Sequence, residues 1–426
     1  MITLSKKDHQ KRLASRAFMP YPEHVPTAAS EGPLAGLSFA VKDLFDVKAY
    51  PTSGGQPTVL AMSGLKTQSS PVVNQLLQAA AHFVGKTITD ELAFSINGQN
   101  AHFGDPINPR APDRISGGSS SGSASAVAHG LCDIGIGSDT GGSVRAPASH
   151  CGLIGMRTSH GLVSLENSLA FAPSLDTCGW FASDMDIFTK ASSVLLQAPL
   201  CQAPMKPAID KPRWMLGGDW WSMLHADVEL AHAPAMRAIR AALEEDGHRW
   251  SGFAIDFDAL GPDIAGFDDL VLAFRLIQGY EAWQCHGAMI QTYGLSLGPG
   301  VAERFQWASQ VSAADYRKAS KLRELFADWI HEQLGQDGLV IVPTMPDIAP
   351  LRNADSGSLD QYRAAAMRML CVAGLCRLPQ INLPLSERLG APLGLSIIGP
   401  AASDLALLPW AKRLMQSGTR PDPAVQ

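Results

Sequence analysis

The chain has 426 residues, 46% of them hydrophobic and 17% charged, a composition that supports a buried core and excludes a disordered or fibrous polymer. Its 34 Lys and Arg stand against 40 Asp and Glu, so a formal net charge of −6 leaves no basic field to hold a phosphate backbone, and nucleic acid is not expected as a partner. No run reaches the roughly 18 apolar residues that a membrane span needs.

Residues 1–16 are polar and basic with no apolar core behind them, unlike a signal peptide, and a cytoplasmic protein is expected. The seven cysteines (Cys132, Cys151, Cys178, Cys201, Cys285, Cys371 and Cys376) are odd in number and form no C-x-x-C pair, so they read as reduced and structural. Neither a zinc-finger spacing nor H-E-x-x-H occurs, and no metal site is expected.

In chain order, 37–41 reads as a strand, 72–83 as a helix and 83–85 as a second strand. A helix of small residues follows at 122–130, then a strand at 134–136. Helices are expected at 234–246 and 314–333, and strands at 339–342 and 393–398. Proline- and glycine-containing stretches at 198–213 and 353–359 read as loops. Alternation of this kind predicts an α/β fold, one mixed sheet clothed by helices, in a single domain over 1–426. Residues 1–30 form an amino-terminal extension of it, and 200–333 a variable helical region where substrate choice should sit.

The most informative segment is 116–126, S-G-G-S-S-S-G-S-A-S-A. As a linker it would be flexible, yet it runs straight into a helix-compatible stretch, and a loop feeding a helix amino terminus presents free N–H groups. Gly118 to Gly122 fits the G-x-S-x-G elbow with Ser120 at its centre, but that elbow follows a strand, and Pro106, Pro109 and Pro112 stand where the strand would be. No lysine completes a phosphate-binding loop here, and Ser63-Gly64-Leu65-Lys66 matches S-x-x-K by chance. A second Ser/Gly loop, 137–145, follows the strand 134–136. Lys42 closes the apolar strand Ala40-Val41, from which its side chain could enter a dry interior, although a surface position is its commoner fate.

These three segments, in this order, resemble the amidase signature family of serine hydrolases. The resemblance extends through Gly85-Lys86-Thr87 to Glu91, Gly152-Leu153-Ile154-Gly155, Ser174-Leu175-Asp176, Pro343-Thr344 and 394–400, and is weakest over 200–333. It implies a Ser-Ser-Lys triad in which Ser143 is the nucleophile, Ser119 the bridging serine on a cis Gly118-Ser119 peptide, and Lys42 the base. It further implies an amidase signature fold with helices on both faces of a large twisted mixed sheet, and an oxyanion hole from the N–H groups of Thr140, Gly141, Gly142 and Ser143. Asp139 and Arg145 read as scaffold. A hydroxyl needs a base within reach, and lysine serves only if burial keeps it neutral.

Ser121 stands where most members have glycine. That variant, with Ser95-Ile96-Asn97-Gly98 and Ala101-His102-Phe103-Gly104, is similar to amidases that hydrolyse indole-3-acetamide. The resemblance implies hydrolysis of a small primary carboxamide, with arylacetamides such as indole-3-acetamide favoured, through an acyl-enzyme on Ser143. No cofactor is implied, since water is the second reactant. His102, His150 and His160 lie near the motifs and read as structural. Trp220, Trp221, Tyr280, Trp283 and Trp307 are candidates for an aryl pocket, or for core packing. A free homodimer acting on small amides is the expected form. The alternatives are the glutaminase component of a tRNA-dependent amidotransferase, with partner chains, and a catalytically silent ligand-binding member of the fold.

Overall fold

The computed structural model describes residues 6–22, 24–197, 205–206 and 208–418. Among them ten strands form one sheet: β1 (Ser38–Lys42), β2 (His82–Thr87), β3 (Ile134–Asp139), β4 (Ile154–Arg157), β5 (Thr177–Ala182), β6 (Arg213–Gly217), β7 (Trp250–Phe253), β8 (Gly338–Pro343), β9 (Gln380–Arg388) and β10 (Ala391–Ile398). Their order across the sheet is β2-β1-β3-β5-β4-β9-β10-β8-β6-β7. The two wings are parallel, β2-β1-β3 on one side and β8-β6-β7 on the other, and the centre is antiparallel. In β3, β4, β5, β8 and β10 every residue is buried. Successive side chains point to opposite faces of a strand, so helices cover both faces of this part of the sheet.

The strands expected at 37–41, 83–85, 134–136, 339–342 and 393–398 are β1, β2, β3, β8 and β10. The helix expected at 72–83 is Pro71–Gln78, ending where the chain turns through Ala80 at φ 69° to enter β2. The expected helix 234–246 begins eight residues earlier, as Ala226–Glu245, and carries Pro234 in its interior. A proline there forfeits one backbone hydrogen bond. Burial of Val228, Ala235, Ile239, Ala242 and Leu243 on one face holds the helix through it.

The loop expected at 353–359 is for the most part the start of the helix Ser356–Leu375, because the Asp355 carboxylate accepts the Ser358 N–H at 2.9 Å and caps it. Half of the loop expected at 198–213, residues 198–204 and 207, lies outside the described residues, and the stretch gives way to β6 at Arg213. The longest helix, Phe267–Tyr293, had no single apolar face in the sequence. It packs against the helices Val301–Ala308, Ala313–Leu334 and Ser356–Leu375 at once, so apolar residues are distributed around it.

Candidate active site

In the parallel wing, β1 and β3 run side by side with Phe39, Ala40 and Val41 opposite Ile134, Gly135 and Ile136. Lys42 and Asp139 are therefore the carboxyl-terminal residues of adjacent strands, and loops leaving that edge converge in the place where open α/β sheets build their sites. The Gly/Ser segment enters from above. Its helix, Ser121–Ala128, is made of residues small enough to lie flush on the sheet, and 121–127 are all buried. Ser123 Oγ, 2.7 Å from Thr87 Oγ1, donates to the Ile136 carbonyl at 2.8 Å, pinning the helix to β3 and β2. Close approach demands glycine twice. A Cβ on Gly137 would stand 2.6 Å from Ser120 Oγ, and one on Gly118 would overlap the Asp90 carboxylate.

Lys42 is fully buried. Its Nζ donates to Ser119 Oγ at 2.7 Å and to Ser138 Oγ at 2.9 Å, and the Gly118-Ser119 peptide is cis. Burial lowers its pKa to about 7, against the opposing pull of Asp90, Asp176 and Asp139. An amine with that affinity can give up its proton at neutral pH and accept another. The Ser120 N–H donates to the Ser143 carbonyl at 3.2 Å, so the two Ser/Gly loops lie side by side. Ser143 is 4% exposed and lines a cleft of about 70 Å³ with Gly141, Phe94, Ser95 and Ile96.

The second loop is held by one carboxylate. Asp139 accepts the N–H groups of Gly142, Val144 and Arg145 at 2.8, 3.1 and 3.2 Å. It also takes Arg145 Nε and Nη2 at 3.0 and 2.9 Å and Arg157 Nη1 at 3.1 Å. Burial by itself would raise the Asp139 pKa, but Arg145, Arg157 and the Val144 N–H hold it well below the usual carboxylate range. Of the four N–H groups expected in the oxyanion hole, that of Gly142 is thus engaged by Asp139. Those of Thr140, Gly141 and Ser143 have no acceptor among the described residues and remain available as donors.

Two neighbours of Lys42 went unnoticed in the sequence. Ser138, one residue before Asp139, is a second hydroxyl on Lys42. Asp90 is buried, accepts the Gly98 N–H at 3.0 Å, and is the foremost negative charge acting on Lys42. Its own pKa is raised by burial. The alternation of β3 could have exposed Ser138, since Ile136 and Ser138 share a face; Asp90 follows β2 in a turn and carries no such signal.

The remaining candidates lie elsewhere. Ser120, the centre of the elbow pattern, donates to the Ser138 carbonyl at 3.2 Å and is a loop brace. Ser63 ends the helix Pro57–Ser63, and Lys66 lies 3.7 Å from Asp46. His102 contacts Glu91 at 2.9 Å, His150 the Tyr362 hydroxyl at 2.9 Å, and His160 the Pro173 carbonyl at 2.9 Å. Six cysteines are free, five of them buried, and Cys201 is outside the described residues. Among the described residues no group of three His, Cys, Asp or Glu side chains is placed to hold a metal ion.

Of the five candidate aromatics only Trp307 lines the cleft. Trp220 is in the core with its Nε1 on the Met369 carbonyl, and Tyr280 stacks on Tyr316. The expected substrate-shaping region contributes Arg275, Gln278, Arg304 and Trp307, but Arg363 and Met367 come from the helix beyond it.

A family model described as Amidase matches residues 12–408. Amidase 1 of Arabidopsis thaliana is 35% identical over 403 residues, covering 90% of this chain and 94% of that protein. Amidase 1 of Oryza sativa subsp. japonica is 33% identical over 408 residues, covering 92% and 93%. Among solved structures, a crystal structure of an amidase superposes with a TM-score of 0.77 at 24% identity, covering 97% of this chain and 94% of that one.

Proposed function

The chain belongs to the amidase family and is a hydrolase of amide C–N bonds, and on that premise we propose that Lys42, Ser119 and Ser143 carry the reaction on a small primary carboxamide. Neutral Lys42 takes a proton from Ser119, Ser119 takes one from Ser143, and the Ser143 alkoxide attacks the carboxamide carbon. The N–H groups of Thr140, Gly141 and Ser143 receive the developing oxyanion. The proton held on Lys42 returns through Ser119 to the leaving nitrogen, so ammonia departs and an ester on Ser143 remains. Water, deprotonated along the same path, then releases the acid.

The observation that supports this reading is the fully buried lysine 2.7 Å from a serine that neighbours the Ser143 loop. A structural lysine would find a carboxylate, as buried Lys86 does with Asp43 at 2.6 Å. Phe94, Ile96, Trp307 and Met367 give the cleft an apolar wall for the substrate's carbon skeleton, which suits the arylacetamide class expected from the sequence. The test is labelling with a serine-directed phosphonate followed by peptide mapping, together with ammonia release from phenylacetamide, indole-3-acetamide and butyramide. An adduct on Ser143, with turnover of at least one amide, is the expected result. An active enzyme labelled at another serine would defeat the assignment.

A further inference from the structure

The cleft wall facing Ser143 carries three guanidinium groups. Arg275, Arg304 and Arg363 come from three separate helices, Phe267–Tyr293, Val301–Ala308 and Ser356–Leu375, and converge on the same cleft as Ser143. Among the described residues the guanidinium groups of Arg275 and Arg304 form no ion pair and donate no hydrogen bond. Arg363 has only Asp360, at 3.8 Å and mostly exposed.

Arg304 Nε is buried with no hydrogen-bond partner, and the guanidinium lies over the Phe94 ring, 5.8 Å from its centroid. Arg275 lies over the Trp307 ring at 4.9 Å. Burial and the neighbouring Arg363 lower the Arg304 pKa to about 10, against Asp90, Asp360 and Glu303. Those carboxylates are committed elsewhere: Asp90 to the Gly98 N–H, Glu303 to the Gly300 N–H at 2.6 Å, and Asp360 to Arg363.

Arg145 and Arg157 show what this chain does with a guanidinium it uses as scaffold: both are held by Asp139 and by carbonyl groups. Arg275 is exposed, whereas Arg304 and Arg363 are largely covered by protein; three cations brought together without such partners repel one another, and the two covered ones lose hydration as well. A bound anion reverses both effects, and planar bidentate contacts suit a carboxylate.

We infer that the substrate is a carboxamide that also carries a carboxylate, such as the half-amide of a dicarboxylic acid, with the amide at Ser143 and the carboxylate held by Arg275, Arg304 and Arg363. The inference rests on the amide-hydrolase reading above and sharpens its substrate class. Phe94, Ile96, Trp307 and Met367 then hold the carbon skeleton between the two ends.

The experiment compares matched pairs, succinamate against butyramide and 4-carboxyphenylacetamide against phenylacetamide, as kcat/KM on the intact enzyme. The carboxylated member of each pair is expected to lead by about 30-fold or more, chiefly through KM, since each charge-assisted hydrogen bond is worth roughly tenfold or more. Arg304→Gln should shrink that ratio by about tenfold, and Arg304→Lys by less. Calorimetric titration of the Ser143→Ala protein with succinamate should show binding that the added Arg304→Gln change weakens to the same degree, a readout that needs no turnover. Neutral members equal to or above their carboxylated partners would overturn the inference and leave amide hydrolysis standing. Failure of every amide, with no phosphonate adduct at Ser143, would overturn the hydrolase reading and this inference with it.

Discussion

The two walls of the cleft are built on opposite principles. The wall around β1 and β3 is made of short side chains packed flush on a sheet, where its arginines are paired and one carboxylate, Asp139, gathers three backbone N–H groups and two arginines. The facing wall comes from the helices Phe267–Tyr293, Val301–Ala308 and Ser356–Leu375, and presents long side chains whose charged ends are poorly matched by carboxylates. On the proposed reading, chemistry that requires fixed distances sits on the first wall, and recognition, which the substrate itself completes, sits on the second. Substitutions on the first wall should therefore cost rate or stability, and substitutions on the second should shift substrate preference.

The largest effect should come from Ser143→Ala, which is expected to lower kcat by about 10⁴-fold or more, as loss of a nucleophile does in other serine hydrolases, while the thermal midpoint stays near wild type. A smaller loss, measured by ammonia release, would move the nucleophile elsewhere. Next in size, Asp139→Ala strips the carboxylate from two buried guanidiniums and should cost about 3–5 kcal/mol in urea unfolding. The sign with pH is fixed by the lowered Asp139 pKa. A carboxylate whose folded pKa lies below its unfolded value of 3.8 stabilises the fold above that value, and the contribution is lost as pH falls below it. The variant's deficit should accordingly shrink in acid; a deficit that is flat from pH 7 down to 3 would mean that Asp139 is not ionised in the fold.

Lys42 provides a kinetic counterpart. In the proposed mechanism its neutral form is the base, and burial lowers its pKa to about 7, so log kcat/KM should rise with pH through about 7 and level off above. Asp90→Asn removes the leading negative charge that favours protonated Lys42, and should move this limb to lower pH. An upward shift would break the assignment of Lys42 as the titrating base.

On the facing wall, Trp307→Leu removes the ring beneath Arg275, a contact worth about 0.5–1 kcal/mol. KM should rise severalfold with kcat nearly unchanged. An equal fall in kcat would place Trp307 in the chemistry and blur the division between the walls. The smallest effect is expected for Ser121→Gly. The Ser121 hydroxyl is buried without a hydrogen-bond partner, so its removal offsets the helix-propensity loss of glycine, and stability should change by less than about 1 kcal/mol.

The sequence was most legible where the chain is most constrained. Lys42, Ser119 and Ser143 were marked by Gly/Ser loops and an apolar strand, and the structure places Lys42 on Ser119 and lays the Ser119 and Ser143 loops side by side. Strands with fully buried runs, β3 and β8, were visible for the same reason: burial on both faces leaves an unbroken apolar string. Illegibility followed from interactions remote in the chain. The helix Phe267–Tyr293 was missed because three partners bury it from different sides, erasing the single-face period. Gly142 was counted among free donors because only the folded loop brings its N–H to Asp139.

The arginine wall shows the limit best. Arg275 follows the apolar run Leu270-Val271-Leu272-Ala273-Phe274, a local oddity that sequence reasoning could have noticed, but Arg304 and Arg363 lie on helices that carry other charged residues. The sequence by itself determined the family and pointed to the proposed reacting groups, since chemistry of this kind demands particular side chains on particular backbone shapes that recur as local patterns. Tertiary structure alone decided which amide N–H groups stay free and which cations face Ser143. Both depend on how the folded backbone sets distances between groups, across segments more than a hundred residues apart in the case of the cations, and no local pattern encodes those distances.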